Sequence, residues 1–106
     1  MKIKQITGFL CLLCLPSIPT FAQDAVEGEQ LFVEKCAMCH RDLGMGTVIL
    51  MSRITPDQAK LEDRIELPAA LVKTVVRNGL GNMFSISRAE VSDEQLDKIA
   101  SYLSGE

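Results

Sequence analysis

The pentapeptide Cys36-Ala37-Met38-Cys39-His40 constrains this chain more than any other stretch. Two thiols three positions apart on a tight turn reach the two vinyl groups on neighbouring edges of a porphyrin, and each adds across one vinyl to form a thioether. The residue directly after the second thiol is then held beneath the iron, where a neutral imidazole nitrogen serves as ligand. His40 is the sole histidine among 106 residues. Spacing and residue types therefore point to one covalent haem c, with Cys36 and Cys39 as its thioether attachments and His40 as an axial iron ligand.

The start of the chain belongs to something else. Met1-Lys2-Ile3-Lys4 is a basic head, Ile6 to Leu15 an apolar run, and Pro16 to Ala22 a breaker-rich tail ending Thr20-Phe21-Ala22. That order is expected of a secretory signal peptide over residues 1–22, cut after Ala22, with residues 23–106 exported to the periplasm as the mature domain. A run of about ten apolar residues covers only ~15 Å as helix, half the hydrocarbon core, so stable membrane insertion is not expected. Cys11 and Cys14 leave with the leader, which removes the alternative of a four-cysteine zinc site. Two thiols in an oxidising space are either used or joined as a disulfide, and two thioethers use both.

The chain carries 11 basic and 14 acidic residues, net −3; losing Lys2 and Lys4 leaves 9 against the same 14, net −5. No basic footprint for a phosphate backbone remains, which argues against nucleic acid as a partner. An acidic carrier suits a basic docking surface instead. The 84 residues from 23 to 106 hold one tyrosine and no tryptophan. Domains of this size are marginal without a staple, and a covalently held porphyrin is one.

Periodicity predicts an all-α fold: three main helices and one short one around the haem. Asp24 to Cys36 reads as the first helix, with Asp24 and Glu27 in capping-box spacing and Gly28 implying close approach of another helix. Arg41 to Thr47 reads as a loop, and Val48-Ile49-Leu50-Met51 as a wall of the pocket. Thr55-Pro56-Asp57-Gln58 predicts a short exposed helix to about Asp63 or Arg64. Pro68 opens the next helix, whose buried face is Leu71, Val72, Val75 and Val76, and Gly79 stops it. A loop of about a dozen residues, Leu80 to Val91, follows. Ser92-Asp93-Glu94-Gln95 is a capping box opening a last helix with Leu96, Ile99, Ala100 and Leu103 on its apolar face.

A second axial ligand decides between electron transfer and an open site for small ligands or peroxide chemistry. Met38 and Met45 lie too close to His40 to pass round the porphyrin. Met51 is far enough along the chain, but its place at the end of an apolar run suits a core methionine. Met83 stands in a loop after a helix-stopping glycine, where no periodicity explains it, and is the expected second iron ligand. Arg77, near the end of the helix opened by Pro68, is read either as a partner of a haem propionate or as an ordinary charge complementing the helix dipole. Glu90, Asp93, Glu94 and Asp97 read as a solvated helix face.

With these residues in place, the mature chain resembles a class I cytochrome c: Gly28 and Phe32 before the CAMCH motif, a central helix, a methionine loop, and a last helix with Tyr102-Leu103. The resemblance implies that first and last helices cross closely, with Tyr102 near Phe32. A narrower likeness is to the small cytochrome subunit of the 4-cresol methylhydroxylase and eugenol hydroxylase group of flavocytochromes. It rests on Val76-Arg77-Asn78-Gly79, Met83 four residues later, and the tail from Val91-Ser92-Asp93-Glu94 to Tyr102-Leu103-Ser104. It implies an electron-transfer subunit, not itself an enzyme, docked on an FAD-bearing flavoprotein dehydrogenase and passing electrons to a downstream redox protein. Two departures stand out: no proline follows Gly44-Met45-Gly46-Thr47, where the family places a carbonyl for the ligand's ring nitrogen, and Phe84 rather than proline follows Met83.

Two other readings make different predictions. A free diffusible cytochrome c serving a quinoprotein alcohol dehydrogenase or terminal oxidase would purify alone. A haem enzyme or gas sensor with an open sixth position would bind carbon monoxide when reduced, although the lone histidine leaves no distal base.

Overall fold

The computed structural model describes residues 19–106, so the leader expected over residues 1–22 lies mostly outside the described residues. Within them are five α-helices: α1 Thr20–Lys35, α2 Ala37–His40, α3 Met45–Met51, α4 Ala69–Asn78 and α5 Asp93–Ser104. Two 3₁₀ turns, Pro56–Gln58 and Leu61–Asp63, separate α3 from α4. Among the described residues there is no strand, only one isolated bridge between Leu80 and Met83. The all-α expectation holds, with α1, α4 and α5 as the three main helices.

α1 begins four residues earlier than the capping pattern at Asp24 implied. Thr20-Phe21-Ala22-Gln23 contains no breaker, so the helix runs back until Pro19, whose backbone is extended. Glu27 does not cap; it pairs with Lys98 at 2.9 Å across the crossing with α5. Gly28 and Phe32 are the buried positions of α1. A Cβ on Gly28 would stand 2.4 Å from the Lys98 carbonyl oxygen and 2.8 Å from Tyr102 Cβ, so the two helices meet at a point where only hydrogen fits. The Phe32 and Tyr102 rings lie 5.9 Å apart beside that point. Around Phe32 gather Val72 and Val76 of α4, Leu96, Ile99, Ala100 and Leu103 of α5, and the loop residues Leu67 and Val91. Burying such side chains at about 25 cal/mol per Å² of apolar surface is the main force holding the three helices together.

Three local expectations are corrected. Arg41 to Gly44 is loop as read, but Met45 to Met51 is helix α3, because the chain turns at Asp42 (φ 37°) and Gly44 caps the new helix, its carbonyl accepting from Val48 at 3.0 Å. A Cβ on Gly44 would be 2.6 Å from the Cys39 carbonyl, so this glycine serves close approach. The short helix at 55–64 is two 3₁₀ turns: Thr55 makes no side-chain cap, and Gln58 reaches forward, accepting from the Ile65 amide and donating to the Asp63 carbonyl. On α4 the buried face narrows to Val72 and Val76, with Leu71 exposed. The stop at Gly79 (φ 76°) and the Ser92–Gln95 capping box stand as read, the box with both of its hydrogen bonds.

Candidate haem-binding site

α2 is the motif itself. After α1 ends at Lys35, the Cys36 carbonyl accepts from the amides of Cys39 (3.1 Å) and His40 (3.0 Å), winding the pentapeptide into one turn. Both cysteines are free thiols; Cys36 is half-buried against the core and Cys39 is exposed. Burial, with a smaller contribution from Cys39, pushes the Cys36 thiol up to about 11. Among the described residues no three His, Cys, Asp or Glu side chains converge on a metal-sized site.

His40 follows on the same turn. Burial, then the nearby Arg64 charge, lowers its pKa, which favours the neutral imidazole over the charged ring. α3 closes over it: a Cβ on Gly46 would be 2.9 Å from His40 Cε1 and 3.0 Å from Nδ1. Where the family places a proline, a glycine lets the α3 backbone come close to the ring. His40 Nδ1 is buried with no hydrogen-bond partner, and so is Thr47 Oγ1 in the next helical residue. The ring is held by packing, without the acceptor a ligating histidine ordinarily has.

Met83 sits where α4 has just stopped. Gly79 turns the chain, and Leu80 and Met83 exchange amide-to-carbonyl hydrogen bonds of 2.9 and 3.0 Å. The Met83 side chain is half-buried and packs against the same core as Cys36 and Ala37. Met51, the other methionine considered, ends α3 largely exposed. Met38, Leu43 and Met45 by the motif, and Leu80 and Phe84 by the methionine loop, present exposed apolar side chains. Two thiols, an unprotonated imidazole and this apolar surface fit a covalently bound haem c.

Arg77 does not behave as a free charge at a helix end. Its Nη1 donates to the Ile86 carbonyl (3.0 Å), and its Nη2 to the Val91 carbonyl (2.9 Å) and Asp93 Oδ1 (2.8 Å). Its Nε is buried and unpartnered. The acidic face is equally engaged: Asp93 also pairs with Arg88, Asp97 with Lys73, Glu94 with Lys98, and Glu90 accepts from Ser87.

One cluster had no sequence signal. Arg41, directly after His40, makes a bidentate pair with Glu62 (2.7 and 2.6 Å) and lies over the Phe32 ring, 5.9 Å from its centroid. The same Glu62 accepts from the Tyr102 hydroxyl of α5. The spacings of 21 and 40 residues carry no periodic signature, which is why sequence reasoning missed it. The Arg41 hydrogen bonds hold the Glu62 carboxyl below its usual range, while burial, reinforced by Glu62, raises the Tyr102 phenol to about 12. A lowered carboxyl contributes stability that is present above its unfolded pKa and lost as pH falls through the folded one. Glu62→Gln is therefore expected to cost about 1.5–3 kcal/mol at neutral pH, the range for hydrogen bonds to charged groups. The gap between wild type and variant should narrow as pH falls below ~4, as read from urea unfolding at a series of pH values.

Comparison with known proteins agrees with this geometry. The family model described as cytochrome C oxidase, cbb3-type, subunit III matches residues 23–103. Cytochrome c6 of Cyanidioschyzon merolae is 30% identical over 103 residues, covering 95% of this chain and 92% of that protein. The 4-cresol dehydrogenase (hydroxylating) cytochrome c subunit of Pseudomonas putida is 36% identical over 78 residues, 73% of this chain but 58% of that subunit, so the chain spans less than two thirds of its length. Cytochrome c6 of a Synechococcus species is 30% identical over 87 residues, 82% of this chain and 74% of that protein. No solved structure matches.

Proposed function

This chain belongs to the cytochrome c family of electron-transfer proteins carrying covalent haem c, and on that premise we propose that it is the exported electron-transfer subunit of a flavoprotein dehydrogenase. In this reading it accepts electrons singly from the partner's FAD, in an oxidation of the 4-alkylphenol type, and hands them to a further redox protein. The chain itself carries electrons and does not transform the phenol. The observation that carries the reading is the likeness to the 4-cresol dehydrogenase cytochrome subunit, the most identical of the relatives described above.

When bound, the haem supplies a one-electron ferric/ferrous couple. Cys36 and Cys39 would hold the haem through thioethers, and the neutral His40 ring and the Met83 sulfur would bind its iron. Gly46 fixes the imidazole plane by contact, and the α4–α5 loop presents the methionine. Residues 1–22 are the export signal in this reading. Residues 19–27 are all exposed, so cleavage after Ala22 uncovers nothing buried. No helix among the described residues is long and apolar enough to cross a membrane.

The cytochrome c6 relatives favour a second reading, a free carrier serving an oxidase or a quinoprotein dehydrogenase. Purification from the periplasm of its own host separates the two. A subunit is expected to co-elute with a larger yellow protein whose substrate-reduced flavin reduces the haem in stopped flow. Elution alone at its own mass, with no such partner, overturns the subunit reading.

A further inference from the structure

We propose that Arg77 is a positioning residue for the second iron ligand, a clamp that holds the α4–α5 loop closed so that Met83 cannot leave. The inference rests on the reading of Met83 as that ligand. The loop between Gly79 and Ser92 has a hold at each end. At its start the Leu80–Met83 bridge and the close contact between Gly79 and the Met83 carbonyl fix the turn. At its far end the loop wraps the Arg77 guanidinium. Ile86, three residues beyond Met83, donates its amide to the Val76 carbonyl (2.8 Å) and offers its own carbonyl to Arg77 Nη1. Val91, at the loop's end, offers its carbonyl to Nη2, which also meets Asp93 in the first turn of α5.

The side chain is only 16% exposed, so these are charge-assisted hydrogen bonds partly shielded from water, the stronger kind. Both guanidinium tips are engaged with the loop and the start of α5, while Nε–H stays buried without a partner. A planar fork whose two tips reach carbonyls five residues apart suits arginine and not lysine, which offers one point of attachment. Arg77 acts on Met83 only through the loop, so its removal should change how readily the methionine dissociates more than how stable the whole domain is.

The test uses the haem-loaded chain and measures how fast the ferric protein takes up exogenous imidazole, which must displace the methionine. It also follows the sulfur-to-iron charge-transfer band and global urea unfolding. Arg77→Met is expected to speed uptake about tenfold or more, the consequence of losing three charge-assisted bonds, two of them to loop carbonyls. Arg77→Lys should fall between it and wild type, and Asp93→Asn, which removes only the exposed partner, should stay within about twofold of wild type. Uptake by Arg77→Lys equal to wild type overturns the proposal, including where Arg77→Met cannot be recovered folded. So does uptake that rises only in proportion to lost global stability. Met83→Ala separates the premises: if it keeps the band, the ligand reading fails; if it loses the band while the Arg77 variants exchange normally, the clamp alone fails.

Discussion

Gly28→Ala is expected to destabilise the protein by roughly 1–3 kcal/mol, the cost of overpacking a tight contact. Helix propensity alone would make the same change stabilising by about 1 kcal/mol, so the sign of the effect decides between them. The added methyl would lie 2.4 Å from the Lys98 carbonyl oxygen and 2.8 Å from Tyr102 Cβ. One of these is backbone in the middle of α5 and the other the root of a side chain, and neither can swing aside as a flexible tip would. The helices must separate, and separation also loosens Phe32 against Tyr102 and strains the Glu27–Lys98 pair. Urea unfolding of the haem-loaded protein measures the change. A gain in stability would mean the crossing is less tight than the geometry states.

Met83→Ala should lower the midpoint potential on the order of 0.1 V or more, a fraction of the ~0.8 V range over which axial ligands set haem potentials. A thioether sulfur favours the ferrous state, and water in its place favours the ferric. The weak near-infrared sulfur-to-iron band of the oxidised protein should vanish with it. Met51→Ala, at a largely exposed position on α3, should leave both properties unchanged. Retention of band and potential in the Met83 variant, with their loss in the Met51 variant, would transfer the ligand role.

The features legible in the sequence were those written in short-range patterns. The tight turn of CAMCH, the Gly79 stop and the Ser92–Gln95 box are all decided within a few residues, and each appears in the structure as read. Gly28 was legible too, because a glycine inside a helix has a propensity cost that needs a packing reason. The errors share a cause. Gly44 and Gly46 look like loop punctuation, yet their small size serves contact with Cys39 and His40, which no local rule anticipates. Thr55 and Gln58 match a capping box, but Gln58 ties a turn ahead of itself, so the short helix gives way to 3₁₀ turns. Arg77 reads from the sequence as a propionate partner or a charge complementing the helix dipole, and its hydrogen bonds to the loop backbone carry no local signature. The Arg41–Glu62–Tyr102 cluster joins three distant segments through ordinary surface-type residues, so nothing in its composition announced it.

That cluster ties the residue following His40, through one carboxylate, to the tyrosine of the terminal helix. A chain truncated before Tyr102 would therefore lose more than its last turns: Glu62 would lose the hydroxyl that helps hold it against Arg41, and the segment after His40 would slacken. Colour and helicity should accordingly vanish together on heating, as a single cooperative melt, with no stage at which a frayed carboxy terminus hangs from an undisturbed chromophore.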